Sequence, residues 1–250
     1  MIRAVIFDLY GTLLIYGDMV RAWSAWIEDL ASGLCQVGII LTPEELSHHC
    51  DGFFRGSCES FENLTVYETR IRNLALRLGA DPSQAWCKGM ATESMDRWQS
   101  FISLDPEALP LLQYLRSIGI KIGIISNFDH YPHVHKILRN CGLSPCVDAV
   151  VVSGEVGLKK PDPAIFRLAL ENLQTNSSDA VFIGDHPQED FAGAESAGLQ
   201  AILLQRDGVG LDRLHINYHK DLIGGLVRET DLLPYKKGIR SLADARAIFN

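Results

Sequence analysis

The sequence predicts an α/β fold, with a doubly wound parallel sheet as its core and a helical domain inserted after the first strand. Short, nearly continuous apolar segments recur along the chain, which is typical of strands buried on both faces of a sheet. These segments are residues 3–8, 121–126, 148–153, 180–184 and 200–205. Amphipathic, helix-length segments lie between them from residue 106 onward, and this alternation predicts a Rossmann-like sheet.

The stretch between the first two strands has a different pattern. Residues 17–100 contain no convincing strand and instead predict helices, at about 18–32, 43–56, 65–79 and 81–99. Thr42 followed by Pro43 is typical of a helix start, and Thr65 with Glu68 fits a capping box. We therefore expect a discontinuous Rossmann-like catalytic core and an inserted helical cap domain. The core would comprise residues 1–16 and 101–250, and the cap residues 17–100.

The position of the insertion favours a role as a lid. A segment inserted after the first strand leaves the sheet at its carboxyl edge, where α/β folds bind their ligands. The end of the chain is less regular: residues 207–212 predict a loop, and residues 219–249 give mixed signals before a final helix that begins at Ser241.

The composition limits the kinds of binding partner that we expect for this chain. The chain has 250 residues, 47% of them hydrophobic, and a formal net charge of −8. An acidic chain argues against nucleic acid as the main partner, and no apolar stretch is long enough to predict a membrane span. Six scattered cysteines without a CxxC pair, and a start unlike a signal peptide, predict reduced thiols in a cytoplasmic protein. Both a monomer and a homodimer remain open.

The first strand ends in a carboxylate. Asp8 closes the apolar segment and is followed at once by a glycine-containing turn, so we expect its side chain at the binding edge of the sheet. Gly11 lets the backbone approach a ligand closely, and Thr12 offers a hydroxyl and an amide to an anion. An aspartate that merely caps a loop would give the same local pattern.

Polar residues also follow the other predicted strands. Ser126 and Asn127 end the second strand, and Lys160 follows the third, directly before a proline. Because parallel strands end at the same edge of a sheet, these side chains are expected near Asp8.

The fourth strand ends in a group of acids. Asp185 lies at the strand end, with Glu189 and Asp190 shortly after it and His186 beside it as a candidate substrate contact. Paired carboxylates are ligands for a hard cation such as Mg²⁺, although acids also favour the first turn of a helix. The whole set suits an aspartate that attacks phosphorus while Mg²⁺ and a lysine neutralise the phosphoryl oxygens.

Four motifs in this order resemble the haloacid dehalogenase-like hydrolase superfamily, subfamily I, with a helical type-one cap. They are DxxGT from residue 8, ISN from 125, KPDPAIF from 160 and GDxxxxD from 184. The resemblance implies Asp8 as the nucleophile and Ser126 and Lys160 as phosphoryl binders. It implies Mg²⁺ held by Asp8, the Tyr10 carbonyl and Asp185, with Asp190 close by or acting through water. The predicted catalytic residues are Asp8, Tyr10, Ser126 and Lys160; the predicted substrate-binding residues are Gly11, Thr12, Asn127 and His186.

Tyr10 departs from the pattern of the phosphatases in this superfamily. They usually carry an aspartate at this position, which protonates the leaving oxygen and then activates water. A phenol can donate a proton but is a poor base at neutral pH, so a slow phosphatase is expected. Tyrosine here resembles the 2-haloacid dehalogenases, which use no metal and lack the acid that Asp185 represents.

The sequence therefore predicts a Mg²⁺-dependent hydrolase of a small phosphate monoester. An extra carboxylate in a metal-free site carries an electrostatic cost, which favours phosphoryl chemistry over dehalogenation. A metal-independent 2-haloacid dehalogenase, and a binding or regulatory protein with weak catalysis, are the alternatives.

Overall fold

The computed structural model describes residues 2–206 and 238–249, which form two compact units. Residues 2–15, 104–206 and 238–249 make up the core unit, and residues 16–103 make up the helical unit. The loop predicted at 207–212, and the part of the mixed C-terminal segment before residue 238, lie outside the described residues. No helix within the described ranges is long and apolar enough to cross a membrane.

The described strands are Ala4–Phe7 (β1), Leu14–Tyr16 (β2), Ile102–Leu104 (β3), Lys121–Ser126 (β4), Ala149–Val152 (β5), Ala180–Gly184 (β6), Gln200–Leu204 (β7) and Gly238–Ile239 (β8). The core unit contains a six-stranded parallel sheet in the order β5-β4-β1-β6-β7-β8. The parallel sheet and five of its strands agree with the sequence prediction. The sequence does not predict β8, nor the pair β2 and β3, which forms a separate two-stranded sheet.

The register of the sheet brings the polar strand ends together. Phe7 at the end of β1 pairs with Ile124 of β4 on one side and Ile183 of β6 on the other. The residues that follow these strands, including Asp8 and Asp185, therefore leave the sheet at the same edge and at similar heights.

In the helical unit the helices are Met19–Gln36 (α1), Pro43–His49 (α2), Val66–Arg77 (α3) and Gln84–Gln99 (α4). Both predicted capping residues are confirmed, because Thr42 and Thr65 each close a capping box. A buried hydrogen-bonded chain links three helices: the Trp26 indole donates to the Tyr67 hydroxyl over 2.7 Å, and Tyr67 lies 2.8 Å from the Ser94 hydroxyl.

Two helix ends differ from the sequence prediction. The first helix does not stop near residue 32, because Gly33 is a packing position: a Cβ there would overlap the sulfur of Met90 in α4. The second helix ends at His49 rather than near residue 56. Gly52 follows it with a φ of +72°, a conformation that a right-handed helix cannot continue.

The remaining helices belong to the core unit. Phe166 of α8 packs edge-to-face on Phe182 of β6, with ring centroids 5.2 Å apart, in the apolar layer beneath the sheet. Ser241 caps the last helix, as the sequence predicts. The helices are Ala108–Ser117 (α5), Tyr131–Asn140 (α6), Ser153–Val156 (α7), Pro163–Asn172 (α8), Gly193–Ser196 (α9) and Leu242–Arg246 (α10), with a π-helical turn at Pro187–Ala192.

Candidate active site

The turn after β1 presents Asp8 at the carboxyl edge of the sheet. The Asp8 amide donates to the Ile183 carbonyl over 2.9 Å, so the residue is still fixed by the neighbouring strand. On the far side of the turn, Arg206 donates to the Thr12 carbonyl over 2.6 Å and forms an ion pair of 2.5 Å with Asp105. No local pattern in the sequence identifies Arg206, because its role depends on a contact across 194 positions of the chain.

Lys160 lies at the centre of the site. Its Nζ donates to Asp8 Oδ1 and to Asp190 Oδ1, each over 2.6 Å, and only 2% of its side chain is exposed. Burial alone would lower the pKa of Lys160, but the carboxylates of Asp190 and Asp8 outweigh it and raise that pKa. Lys160 is therefore a charged ammonium that bridges two carboxylates.

The carboxylates outnumber the positive charge. Asp8, Asp185 and Asp190 each offer an oxygen within 4.8 Å of the others. Burial raises the pKa of Asp8, an effect that Lys160 opposes and Asp190 reinforces. Burial likewise raises the pKa of Asp185, and the charges of Asp8 and Asp190 add to it. Three carboxyl groups this close to one ammonium therefore resist full ionisation, and a bound cation would relieve that cost.

This donor set fits a hard divalent cation. Among the described residues, the buried Oδ2 of Asp8 has no hydrogen-bond partner, so this oxygen is available to a ligand. Asp190 differs, because its Oδ1 accepts from Lys160 and its Oδ2 accepts from the His186 amide over 2.9 Å. Asp8 and Asp185 are accordingly the better candidates for direct ligands, and Asp190 holds the surrounding groups in place.

Gly11 makes room for Asp185. Its φ of +96° is in the left-handed region, and a Cβ at this position would overlap the Asp185 carboxylate. The Thr12 hydroxyl donates to Asp185 Oδ1 over 3.3 Å. The β1 turn therefore supports Asp185 with Gly11 and Thr12, two successive residues that are expected from the sequence to bind the substrate.

We expect Gly11→Ala to lower the free energy of unfolding more than the same substitution at Gly119. Both glycines have a positive φ, so both variants place an alanine in the strained left-handed backbone region. A Cβ at Gly119 would, however, meet no atom within 4 Å. Overlap with Asp185 should add about 1–3 kcal/mol at Gly11, measured by urea unfolding of the two variants. Equal losses of unfolding free energy in the two variants would contradict the close approach of Gly11 to the Asp185 carboxylate.

Tyr10 is held by an aromatic stack. Its ring lies on Phe128 with centroids 4.9 Å apart, and Phe128 in turn stacks on His133 at 6.0 Å. Burial raises the pKa of Tyr10 above its usual value, and Cys141 and Asp8 add to the rise. The phenol is therefore neutral at physiological pH and is not a base.

The remaining predicted residues lie at the same edge. Ser126 is buried at the end of β4. Asn127 follows it and directs its side-chain amide at Lys160 and Glu189. His186 accepts from the Glu189 amide at Nδ1, which puts the proton of the neutral ring on Nε2. That buried Nε2 has no hydrogen-bond partner among the described residues.

A family model described as a haloacid dehalogenase-like hydrolase matches residues 2–198. The chain is 30% identical, over 82% of its length and 85% of the relative, to a glyceraldehyde 3-phosphate phosphatase of Methanopyrus kandleri. A phosphatase structure from Thermococcus onnurineus superposes with a TM-score of 0.66 at 24% identity, covering 100% of this chain and 98% of the other. A 2-haloacid dehalogenase from Pseudomonas syringae superposes with a TM-score of 0.65 at 23% identity, with the same coverage, so both likenesses concern the fold alone. The chain belongs to the haloacid dehalogenase-like hydrolase family.

Proposed function

We propose that this protein is a Mg²⁺-dependent phosphatase of a small phosphate monoester, with Asp8 as its nucleophile. The observation that carries the proposal is the cluster in which carboxyl oxygens of Asp8, Asp185 and Asp190 lie within 4.8 Å of one another, Lys160 bridges Asp8 and Asp190, and Asp8 Oδ2 has no partner among the described residues. The similarity to a relative named a glyceraldehyde 3-phosphate phosphatase supports a small phosphorylated substrate.

The charge of the cluster favours a divalent cation. Three carboxylates and one ammonium leave an excess of negative charge, which repels an anionic substrate. Bound Mg²⁺ would neutralise carboxylate and phosphoryl oxygens together and polarise the phosphorus. Asp8 and Asp185 would hold it, with the Tyr10 carbonyl as the further ligand that the family resemblance implies.

The two oxygens of Asp8 have different roles. Oδ1 accepts from Lys160 and keeps a second lone pair for the cation, which leaves Oδ2 to form a bond to phosphorus as the bond to the leaving oxygen breaks. Water then attacks the phosphorus of the aspartyl phosphate, releasing inorganic phosphate and restoring the Asp8 carboxylate. The Lys160 ammonium and the hydroxyl of Ser126 would bind the phosphoryl oxygens throughout.

Other groups would bind and orient the substrate. We assign the backbone of Gly11 and Thr12 to the phosphoryl group. The Nε2–H of His186, a buried donor without a partner among the described residues, is assigned to an acceptor on the substrate.

Tyr10 limits the turnover rate that we expect for phosphate-monoester hydrolysis. As a neutral phenol stacked on Phe128, it can donate a proton to the leaving oxygen but cannot take one from water. General acid–base help is worth about 10²–10⁴-fold, so we expect slow turnover, with faster turnover for substrates that have good leaving groups.

The second candidate function is 2-haloacid dehalogenation, which Tyr10 favours because a departing halide needs no proton. In that reaction Asp8 would displace halide from carbon, and the activity would not depend on a metal. The acidic cluster argues against it, since three carboxyl groups within 4.8 Å of one another would disfavour a further carboxylate from a haloacid in a site without a metal.

Phosphate release from a panel of small phosphate monoesters, with Mg²⁺ and with EDTA, tests the proposal. We expect release that requires Mg²⁺, is lost in EDTA and returns when Mg²⁺ is added in excess. Halide release from 2-haloacids that persists in EDTA would replace the proposal with the dehalogenase. Phosphate-analogue binding without any product would instead indicate a binding or regulatory protein.

A further inference from the structure

We propose that Asn127 and Glu189 form a positioning pair that holds Lys160 against Asp8. This proposal refines the proposed function, because it replaces the expected substrate contact of Asn127 with a role that acts through the lysine. Neither residue of the pair would touch the substrate.

The side-chain amide of Asn127 forms hydrogen bonds with both the backbone amide and the backbone carbonyl of Lys160. Asn127 Oδ1 accepts from the Lys160 amide over 2.8 Å, and Asn127 Nδ2 donates to the Lys160 carbonyl over 2.9 Å. These bonds join residues 33 positions apart, so they fix the loop before α8 to the end of β4. A lysine loses much side-chain entropy when it is ordered, and a fixed backbone reduces what remains to be ordered.

Glu189 orients that amide. The second hydrogen of Asn127 Nδ2 goes to Glu189 Oε2, over 2.9 Å. A primary amide has two hydrogens, and both are now committed. Asn127 could therefore donate to a substrate only by giving up Lys160 or Glu189.

The contacts form a closed ring through the catalytic lysine. Glu189 donates its amide to His186 Nδ1 over 3.0 Å, and the His186 amide donates to Asp190 Oδ2 over 2.9 Å. Asp190 accepts from Lys160, whose backbone returns to Asn127. The loops after β4, β5 and β6 are thus tied together around the ammonium, and Asn127 with Glu189 is the link in which neither residue is assigned to the substrate or the metal under this proposal.

Chemical acylation of Lys160 tests the positioning pair of Asn127 and Glu189, and it does not require the protein to be enzymatically active. Wild-type and Asn127→Ala proteins are treated with a limiting amine-acylating reagent, and acylation is followed by peptide mass spectrometry. Lys159 is exposed and serves as the internal standard, whereas Lys160 is buried. We expect Lys160 to react roughly tenfold faster in Asn127→Ala, since two backbone hydrogen bonds that limit its opening are lost.

The controls separate positioning from general loosening. Asn172→Ala, at the exposed end of α8, should leave the ratio of Lys160 to Lys159 acylation unchanged. If Asn127→Ala does not fold, as judged by circular dichroism, Glu189→Leu takes its place with the same expectation. Unchanged protection of Lys160 in a folded variant of the pair would overturn the proposal.

Kinetics supply the second readout. Glu189→Gln keeps an oxygen that can accept from Asn127 and should retain kcat/KM within about threefold, whereas Glu189→Leu should lose roughly 10–100-fold. Equal losses in both variants would overturn the positioning role. If the wild-type protein releases no phosphate, the proposed function fails, and the acylation experiment still decides the role of the pair.

Discussion

Lys160→Met is expected to destabilise the protein by about 3–5 kcal/mol, the usual cost of leaving a buried ionic group without its partner. Lys160 is the shared partner of Asp8 and Asp190, and both carboxylates are buried. Methionine fills much of the same space, so the loss reports the charge rather than a cavity. The measurement is the free energy of unfolding in urea.

The loss of unfolding free energy in Lys160→Met should also grow as the pH rises. Lys160 lowers the pKa of Asp8, so its removal raises that pKa further above the unfolded value. A group with a raised folded pKa loses stability as pH rises through it, so the deficit should be larger at about pH 8 than at about pH 5. Lys159→Met, at the exposed neighbouring position, is the matched control and should change stability by less than about 0.5 kcal/mol. A similar loss in both variants, or no pH dependence, would contradict the bridging role of Lys160.

Asp8→Asn is expected to abolish phosphate release, by at least about 10⁴-fold, without destabilising the fold. An amide is not a nucleophile toward phosphorus, yet its carbonyl oxygen can still accept from Lys160 in place of Oδ1. Removing one of three clustered carboxylates relieves repulsion, so the free energy of unfolding should stay equal or rise. Activity of the variant above about one per cent of wild type, or a marked loss of stability, would argue against Asp8 as the nucleophile.

The sequence predicted the parts of this protein that local patterns determine. Apolar segments marked the five long strands, and polar residues at or just after several strand ends marked the candidate site, because parallel strands place Asp8, Ser126 and Asp185 at one edge. The helix start at Thr42 and the capping box of Thr65 with Glu68 were equally local, and both are confirmed.

The remaining features depend on contacts between distant residues. The first helix of the inserted segment is predicted to end near residue 32, but it continues to Gln36, with Gly33 packed against Met90 of α4. Arg206 reaches Thr12 across 194 positions of the chain, and Asn127 reaches Glu189 across 62 positions. A single sequence shows which groups can form hydrogen bonds but not which partners the fold brings within reach.

The central claim is that Asp8 attacks phosphorus, and the fate of oxygen from water tests it most directly. Turnover of a phosphate monoester with Mg²⁺ in heavy-oxygen water should place the label in the released phosphate. The peptide that carries Asp8, examined by mass spectrometry, should remain unlabelled and should carry a phosphoryl group when the reaction is stopped during turnover. Label in the Asp8 carboxylate would contradict the account, because it would mean that water attacks an aspartyl ester at carbon, as in displacement of a halide.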